Sequence, residues 1–375
     1  MPLYETVMQE KPPIVFDVGT AYTKFGFAGE TCPRKIVRSE VICLASKVTK
    51  PLFQYEDSLE FYDQIVDFLQ MIFFKYLLVS PKDRKFVIVE NVFDQTEVRD
   101  ALVRILFRHF EVSSVLFVPT HIMAISTLAI SSGIVIDIGY SETNVMPIYS
   151  GVQILKAFQD QRYGGQLIHK EIKRQLISIG VKENLLSEKV LEDIKIRTCF
   201  VTNFARAQCY RSNQKLEVPP NIEYSINGTQ IITIPGSLRE TAFEILFETS
   251  NERDNLPHLI LQSILKCPLD VRRELTENIY VIGGSSIIMG LLPRLKDELN
   301  FLIETDYLYT DKLYGKIQFK FHKTIGCQNF CAWLGGSLCG ATDLIQTRSL
   351  TKEAFFKTNR VPDWICLADN RLTGT

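Results

Sequence analysis

The sequence has no excess of charge of either sign. Its 42 lysine and arginine residues are balanced by 43 aspartate and glutamate residues, which leaves a formal net charge of −1. Proteins whose main partner is nucleic acid or an anionic membrane surface usually carry a clear basic excess. The balance therefore argues against a nucleic-acid partner. The 46% hydrophobic and 23% charged content is that of an ordinary globular protein.

The nine cysteines form neither a CxxC pair nor a disulfide framework. Cys327, Cys331 and Cys339 come closest to a cluster, but their spacing fits neither a zinc knuckle nor a zinc ribbon. The start of the chain also lacks the basic segment followed by an apolar one that marks a secretory signal. We therefore expect reduced thiols in a cytoplasmic protein.

One long uncharged stretch, residues 115–136, approaches the length of a membrane span. It is interrupted by Pro119 and by Ser131-Ser132-Gly133, which divide it into three short segments. This punctuation predicts a strand, a helix and a second strand in a buried core, and no membrane insertion.

Three common nucleotide and metal motifs are missing. The sequence contains no GxxxxGK[S/T] loop, no GxGxxG fingerprint and no HExxH pair. Their absence argues against a P-loop NTPase, a typical dinucleotide enzyme and a zincin-type protease.

What the sequence does contain is an internal repeat. The segment IVFDVG at 14–19 matches IVIDIG at 134–139, a displacement of 120 positions, and Thr23 matches Thr143. Each copy predicts a strand, a turn carrying Asp-x-Gly and a second strand. Such a repeat suggests two similar domains, each with a hairpin that points an aspartate, Asp17 or Asp137, toward a shared cleft. A chance match of short apolar runs is the alternative.

The remainder of the chain predicts a mixed α/β protein. Helical periodicity covers residues 58–78, 97–110, 166–179, 188–204, 239–248 and 258–265. A strand at 85–92 separates the first two helices, and another near 279 runs into Gly283-Gly284. Paired glycines at a strand end let backbone amides approach a ligand. The second pair, Gly335-Gly336, predicts close helix packing.

Several blocks of the sequence resemble, in order and spacing, those of actin and actin-related proteins. They include IVFDVGTAYTKFGFAGETCPR, GIVIDIGYSETNVMPIYSG, ILKCPLDVRREL, NIYVIGGSSIIMG and FCAWLGGSLC. The resemblance implies an α/β, actin-like duplicated ATPase fold, in which two domains flank a nucleotide cleft. It places the first large subdomain at 1–39, 59–132 and 330–375, and a truncated outer subdomain at 40–58. The second large subdomain then spans 133–163 and 256–329, and its outer subdomain spans 164–255.

The same resemblance assigns a site for ATP or ADP with Mg²⁺. Asp17 and Asp137 correspond to the carboxylates that hold the cation through water, as suits a hard metal. The residues that correspond to phosphate and nucleoside contacts are Asp17, Gly19, Thr20, Lys24, Gly139, Lys195, Gly283 and Gly284.

Other positions depart from the actin pattern. Ser126 stands where actin has the glutamine that orients the attacking water, and its hydroxyl is too short to replace that amide. Tyr140-Ser141 replaces Asp-Gly in the second turn, where a bulky side chain would crowd amides that wrap phosphate. Further changes are Gln166, Leu167, Ile196 and Asn329. We expect a nucleotide held as a structural cofactor without functional hydrolysis, although neutral drift would also explain each change.

The largest departure is a deletion. About twenty residues, 40–60, replace the outer subdomain whose long loop, in actin, inserts into the next subunit of a filament. A subunit that keeps the receiving face but lacks the inserting loop can join a filament end and stop growth there. A length variant of a monomeric protein is the alternative.

A shortened outer subdomain together with an altered phosphate site resembles the actin-related subgroup at the pointed end of the dynactin filament. That resemblance implies a cytoplasmic, cytoskeletal role as a filament cap. The implied partners are the actin-related filament subunit of dynactin, its pointed-end subunits and, indirectly, dynein and cargo adaptors. Three alternatives remain: a self-polymerising actin-like ATPase, a nuclear chromatin-remodelling subunit, and a sugar-kinase-type enzyme.

Overall fold

The computed structural model describes residues 11–42, 49–91, 96–212, 214, 216–226, 228, 230–248 and 254–362. They fold into two compact units. The first contains the described residues up to Ala129 and those from Phe330 onward, and the second contains Ile130–Asn329. The finer division into four subdomains stays a prediction.

The first unit is built on a mixed six-stranded sheet. Its strands are β1 (Ile14–Val18), β2 (Tyr22–Phe27), β3 (Lys35–Arg38), β6 (Lys85–Glu90), β7 (Ser114–Pro119) and β15 (Leu350–Thr351). Their order across the sheet is β15-β7-β6-β1-β2-β3. β1, β6 and β7 run parallel, and their residues are almost all buried, as expected for the centre of a sheet covered on both faces. A separate hairpin pairs β4 (Glu40–Ile42) with β5 (Thr49–Pro51).

Helices cover both faces of this sheet. They are α1 (Ser58–Met71), α2 (Thr96–Arg108), α3 (Thr120–Ser126), α12 (Cys331–Gly340), α13 (Leu344–Arg348) and α14 (Lys352–Thr358). One face is an aromatic core in which the Phe16 and Phe86 rings stack at 5.7 Å. On the other face, a Cβ on Gly335 would overlap the Met123 carbonyl. The predicted close packing at Gly335-Gly336 is therefore confirmed.

The second unit has a smaller sheet of the same kind. Its strands are β8 (Gly133–Ile138), β9 (Thr143–Tyr149), β10 (Val152–Gln153), β11 (Gln159–Gln161) and β14 (Ile279–Ile282). The order is β10-β9-β8-β14, with β11 also paired to β9. A separate hairpin pairs β12 (Ile222–Ile226) with β13 (Gln230–Ile234).

Eight helices pack around this sheet and hairpin in the described part of the second unit. They are α4 (Gly165–Ser178), α5 (Glu188–Thr198), α6 (Phe204–Arg211), α7 (Gly236–Thr241), α8 (Leu256–Lys266), α9 (Arg272–Thr276), α10 (Leu291–Thr305) and α11 (Tyr307–Leu313). A single apolar cluster joins the sheet to most of these helices.

The repeat detected in the sequence corresponds to two equivalent hairpins. β1 and β2 pair antiparallel with Asp17 opposite Lys24, and β8 and β9 pair antiparallel with Asp137 opposite Asn144. Each hairpin has a parallel neighbour, β6 for the first and β14 for the second. The mixed α/β, two-domain architecture predicted from the repeat is confirmed.

Residues 115–136 form the predicted strand, helix and strand, as β7, α3 and the start of β8. No helix among the described residues is long and apolar enough to cross a membrane. The single helix predicted at 188–204 was wrong, because the chain leaves α5 at Cys199 in an extended conformation and begins α6 only at Phe204, with Asn203 as its N-cap. The Val201 amide donates to the Met289 carbonyl at 2.9 Å, a contact that a continuous helix could not make.

Candidate functional site

The first hairpin places a carboxylate and a cation side by side. Asp17 lies near the end of β1 and Lys24 lies opposite it on β2. The Lys24 Nζ atom is 3.0 Å from Asp17 Oδ2, and the two side chains are 16% and 14% exposed. Because both groups reach solvent, they are available to a ligand that carries negative charge and a metal ion.

The turn of the first hairpin is compact and fixed. The Gly19 amide donates to the Tyr22 carbonyl at 3.2 Å, and a Cβ on Gly19 would lie 2.8 Å from that same oxygen. Ser39 donates its hydroxyl to the Gly19 carbonyl at 2.6 Å, and its Oγ lies 2.8 Å from that of Thr23. Only glycine fits this turn, which leaves Thr20 exposed at its tip.

The second hairpin repeats the turn with different supports. The Gly139 amide donates to the Glu142 carbonyl at 3.0 Å. The Gly139 carbonyl in turn accepts from the Gly165 amide at 3.0 Å and from the Ser285 hydroxyl at 2.9 Å. Asp137, two residues before Gly139, pairs with Ile282 at the end of β14.

Of the two paired glycines, only Gly283 is required by the local geometry. Its φ is +94°, and a Cβ there would overlap Asp137 Oδ1 and the Ile138 carbonyl. A Cβ on Gly284 would meet nothing within 4 Å. Gly283 therefore lets β14 pass directly against the carboxylate of the second hairpin, while Gly284 borders open space.

The Lys195 side chain extends from α5 toward Gly165 and Ser285, the residues that support the second turn. A Cβ on Gly165 would lie 3.5 Å from Lys195 Nζ and 3.0 Å from Ser285 Oγ. The structure therefore gathers Gly139, Lys195 and Gly283 in the second unit. In the first unit it gathers Asp17, Gly19, Thr20 and Lys24.

The sequence interpretation missed the residues that support these turns, Ser39 and Ser285. Ser285 directly follows the glycine pair, so its position was a usable clue. Ser39 follows β3 with no motif around it, and only the strand pairing reveals its contact.

Two positions that depart from the actin pattern can also be located. Ser126 closes α3, and its hydroxyl donates to the Met123 carbonyl at 2.8 Å, within its own helix. Ile196 on α5 is 66% exposed. Neither side chain offers a charged or amide group.

Two open grooves of about 510 and 500 Å³ lie elsewhere, on the first unit. Both are lined by Asp83, Lys85 and Ile345, and no predicted site residue lines either of them. They are therefore separate from the two hairpins.

Each hairpin, taken by itself, carries groups of the types that contact phosphate or a divalent metal. Each hairpin supplies one carboxylate, which is the ligand type that Mg²⁺ prefers. Lys24 and Lys195 supply cations, and the turns at Gly19 and Gly139 have no Cβ that would keep phosphate from the backbone. Two such hairpins, one in each α/β unit, define a duplicated fold of the actin type.

Comparison with known proteins agrees with this class. The actin family model matches residues 57–185 and 181–358. The chain is also 28% identical to Actin-related protein 10 of Dictyostelium discoideum, in an alignment of 434 positions that covers 95% of this chain and 90% of that protein. The chain belongs to the actin family, and within it to the actin-related proteins.

Proposed function

We propose that this chain is a non-catalytic, actin-related structural subunit in the cytoplasm. It caps the pointed end of the actin-like filament of dynactin and links that filament to the pointed-end subunits. In this role it supports dynein-based transport along microtubules. The similarity to an Actin-related protein 10 supports the actin-related part of this proposal.

The observation that carries the capping role is the shortness of the segment between the first hairpin and α1. After β3 ends at Arg38, only β4, β5 and a short link precede Ser58. Positions 43–48 are all that joins β4 to β5.

The described part of this segment is packed onto the first unit. Val41 and Leu52 are 6% and 2% exposed and belong to the same apolar cluster as Phe61 of α1. The Leu52 amide donates to the Ser39 carbonyl at 2.8 Å, and Lys50 forms an ion pair with Glu60. Because these contacts pack β4 and β5 against the rest of the first unit, the two strands do not form a projecting arm.

Capping follows from the polarity of an actin-like filament. Each subunit contacts the next through two different surfaces, so growth requires both. A chain that retains the receiving surface but has no arm for the next subunit occupies the end and blocks further addition.

The nucleotide is proposed as a structural cofactor. Asp17 and Asp137 would hold hydrated Mg²⁺, while Lys24 and the glycine turns would contact phosphate. When bound, the nucleotide and its metal would supply charge that balances these side chains. The Ser126 hydroxyl donates to a carbonyl of its own helix, and its side chain has no amide group that could orient an attacking water. Both features support the absence of functional hydrolysis.

The first test is sedimentation of the purified full-length chain with Mg-ATP, combined with a phosphate-release assay in the same sample. We expect the chain to stay in the supernatant and to release no phosphate above the buffer blank. Pelleted filaments would contradict capping and favour a self-polymerising ATPase.

The second test is affinity capture of the tagged full-length chain from cytosol, with mass spectrometry of the bound proteins. Conventional actin carrying the same tag is the matched control bait. We expect the dynactin filament subunit and pointed-end subunits with this chain and not with the control. Recovery of chromatin-remodelling subunits instead would refute the proposed role.

A further inference from the structure

The side chain of Tyr140 projects from the second turn toward α4 and α5. Its ring lies 5.8 Å from the His169 ring in an edge-to-face arrangement of 65°. Its hydroxyl donates to Glu188 Oε1 at 2.5 Å. The residue expected to crowd the phosphate turn is therefore engaged by the two helices beside it.

Glu188 receives two hydrogen bonds at the start of α5. Tyr140 donates one of them, and His169 Nδ1 donates the other to the same oxygen. Burial alone would raise the pKa of Glu188, but the hydrogen bonds from His169 and Tyr140 hold that pKa below its usual value. Glu188 is thus an ionised acceptor, and bonds to ionised acceptors are the stronger kind.

His169 lies behind this pair and is 2% exposed. Because its Nδ1 must donate to a carboxylate, the ring is fixed in one orientation. The Tyr140 ring rests against this fixed surface.

The backbone of the turn is attached at a second place. The Tyr140 carbonyl accepts from the Gln166 amide at 2.8 Å, in the first turn of α4. A Cβ on Gly164 would lie 2.8 Å from that carbonyl, so the approach is close. The turn is therefore held at the start of α4 through its backbone and at the start of α5 through the Tyr140 side chain.

We propose that Tyr140 is a positioning residue, which with Glu188 fixes the second turn in the conformation that binds and retains nucleotide. This inference rests on the proposed nucleotide site. A turn held in its bound conformation loses less freedom on binding, so the ligand binds more tightly and leaves more slowly.

The test uses Tyr140→Phe and Glu188→Gln in the full-length chain. Hydrogen–deuterium exchange is measured in the peptide covering 138–143 without nucleotide, and release of a fluorescent ATP analogue is measured separately. We expect each substitution to accelerate both exchange and analogue release by about three- to tenfold. Tyr140→Phe removes the bond to a half-exposed charge, and Glu188→Gln replaces its charged acceptor with a neutral one. The double variant should be no faster than the faster single one, because both substitutions act on the same bond.

Glu183→Gln is the matched control. Glu183 is a carboxylate paired with Lys173 shortly before α5, and its side chain is 70% exposed. It should leave exchange in 138–143 and analogue release unchanged.

The outcomes separate the two proposals. Unchanged exchange in 138–143 in both variants would overturn the positioning role, whether or not nucleotide binds. Faster exchange together with no analogue binding to any variant, the parent included, would uphold the positioning of the turn and refute the proposed cofactor. Faster exchange with unchanged analogue release would overturn the claim that the turn governs retention.

Discussion

Replacing Arg294 with methionine should destabilise the second unit by about 3–5 kcal/mol, because the nearly buried carboxylate of Glu244 would then lack a cation. The Arg294 side chain is fully buried. It donates twice to Glu244 at 2.8 Å and twice to Glu298 at 3.0 and 2.9 Å. A fifth bond goes to the Thr202 carbonyl at 2.9 Å, and the guanidinium lies 4.4 Å from the centre of the Phe247 ring.

The magnitude follows from what remains after the substitution. Methionine fills much of the same volume, so the cavity contributes little. Glu244 loses both of its bonds to Arg294, whereas Glu298 keeps Arg211 at 2.7 Å. The main effect is therefore that one nearly buried carboxylate has no cation. Such a group lowers the free energy of unfolding by about 3–5 kcal/mol.

Urea denaturation with separate probes for the two units measures this effect, since a chain with two domains need not unfold in one step. Hydrogen exchange of peptides from α8 and α10 reports on the second unit. Fluorescence of the buried Trp333 reports on the first, which should not change.

Arg211→Met is the matched control, because the Arg211 side chain is 35% exposed and its loss should cost about 1 kcal/mol or less. The triple variant with Arg294→Met, Glu244→Gln and Glu298→Gln should be more stable than Arg294→Met alone, since no uncompensated charge remains buried. A cost for Arg294→Met equal to that of the control would refute this reasoning.

Three further predictions concern the first unit and the site. Burial lowers the pKa of His121 to about 4, so the unfolded chain binds a proton more readily than the folded one below about pH 6.5. The free energy of unfolding should therefore fall as the pH decreases from 6.5 toward 4, by up to about 1.4 kcal/mol per pH unit, and a His121→Gln variant should lack this part of the slope in urea titrations. Gly283→Ala should lower the free energy of unfolding by about 2–4 kcal/mol in thermal or urea unfolding, because alanine is strained at positive φ and its Cβ would meet Asp137. Gly284→Ala should lower it by less than about 0.5 kcal/mol, and equal losses for the two variants would contradict the geometry. If nucleotide binds as proposed, Lys24→Gln should weaken a fluorescent ADP analogue by about 10- to 100-fold in equilibrium titration, since a charged contact to phosphate is lost, and unchanged affinity would remove Lys24 from the site.

The sequence predicted the hairpins well because their features are local. A run of apolar residues, an Asp-x-Gly turn and a second strand specify their own geometry, and the repeat showed that the pattern occurs twice. The predicted helices at 97–110 and 166–179 likewise agree with α2 and α4 to within two residues, since their periodicity is long and regular.

The errors lie where tertiary contacts override the local pattern. The helix predicted at 58–78 is present through Leu77, but its last six residues, Ile72–Leu77, are π-helical and not α-helical. There Phe73 is fully buried and its ring packs at 4.9 Å from that of Phe110. The pattern at 188–204 was interrupted for the same kind of reason, the bond between Val201 and Met289. The hydrophobic periodicity within either segment does not reveal these contacts with distant residues.

In the candidate site, too, the locally specified residues were predicted and those that depend on tertiary contacts were not. The residues that repeat, Asp17 with Gly19 and Asp137 with Gly139, lie at the strand ends and the turns, and these positions follow from the motif. The supports do not repeat, because Ser39 holds the first turn from a neighbouring strand whereas two helix ends and Ser285 hold the second.

This difference changes how a departure from the family pattern should be interpreted. Tyr140 was expected to damage the site because its bulky ring stands where the family has an aspartate in a phosphate turn. Its effect instead depends on Glu188 and His169, which lie 48 and 29 positions further along the chain and accommodate its side chain. Ser126 has no such compensation, because its hydroxyl is bonded to the carbonyl of Met123 in the same helix. The expected loss of hydrolysis therefore depends more on the missing side-chain amide at Ser126 than on the altered turn.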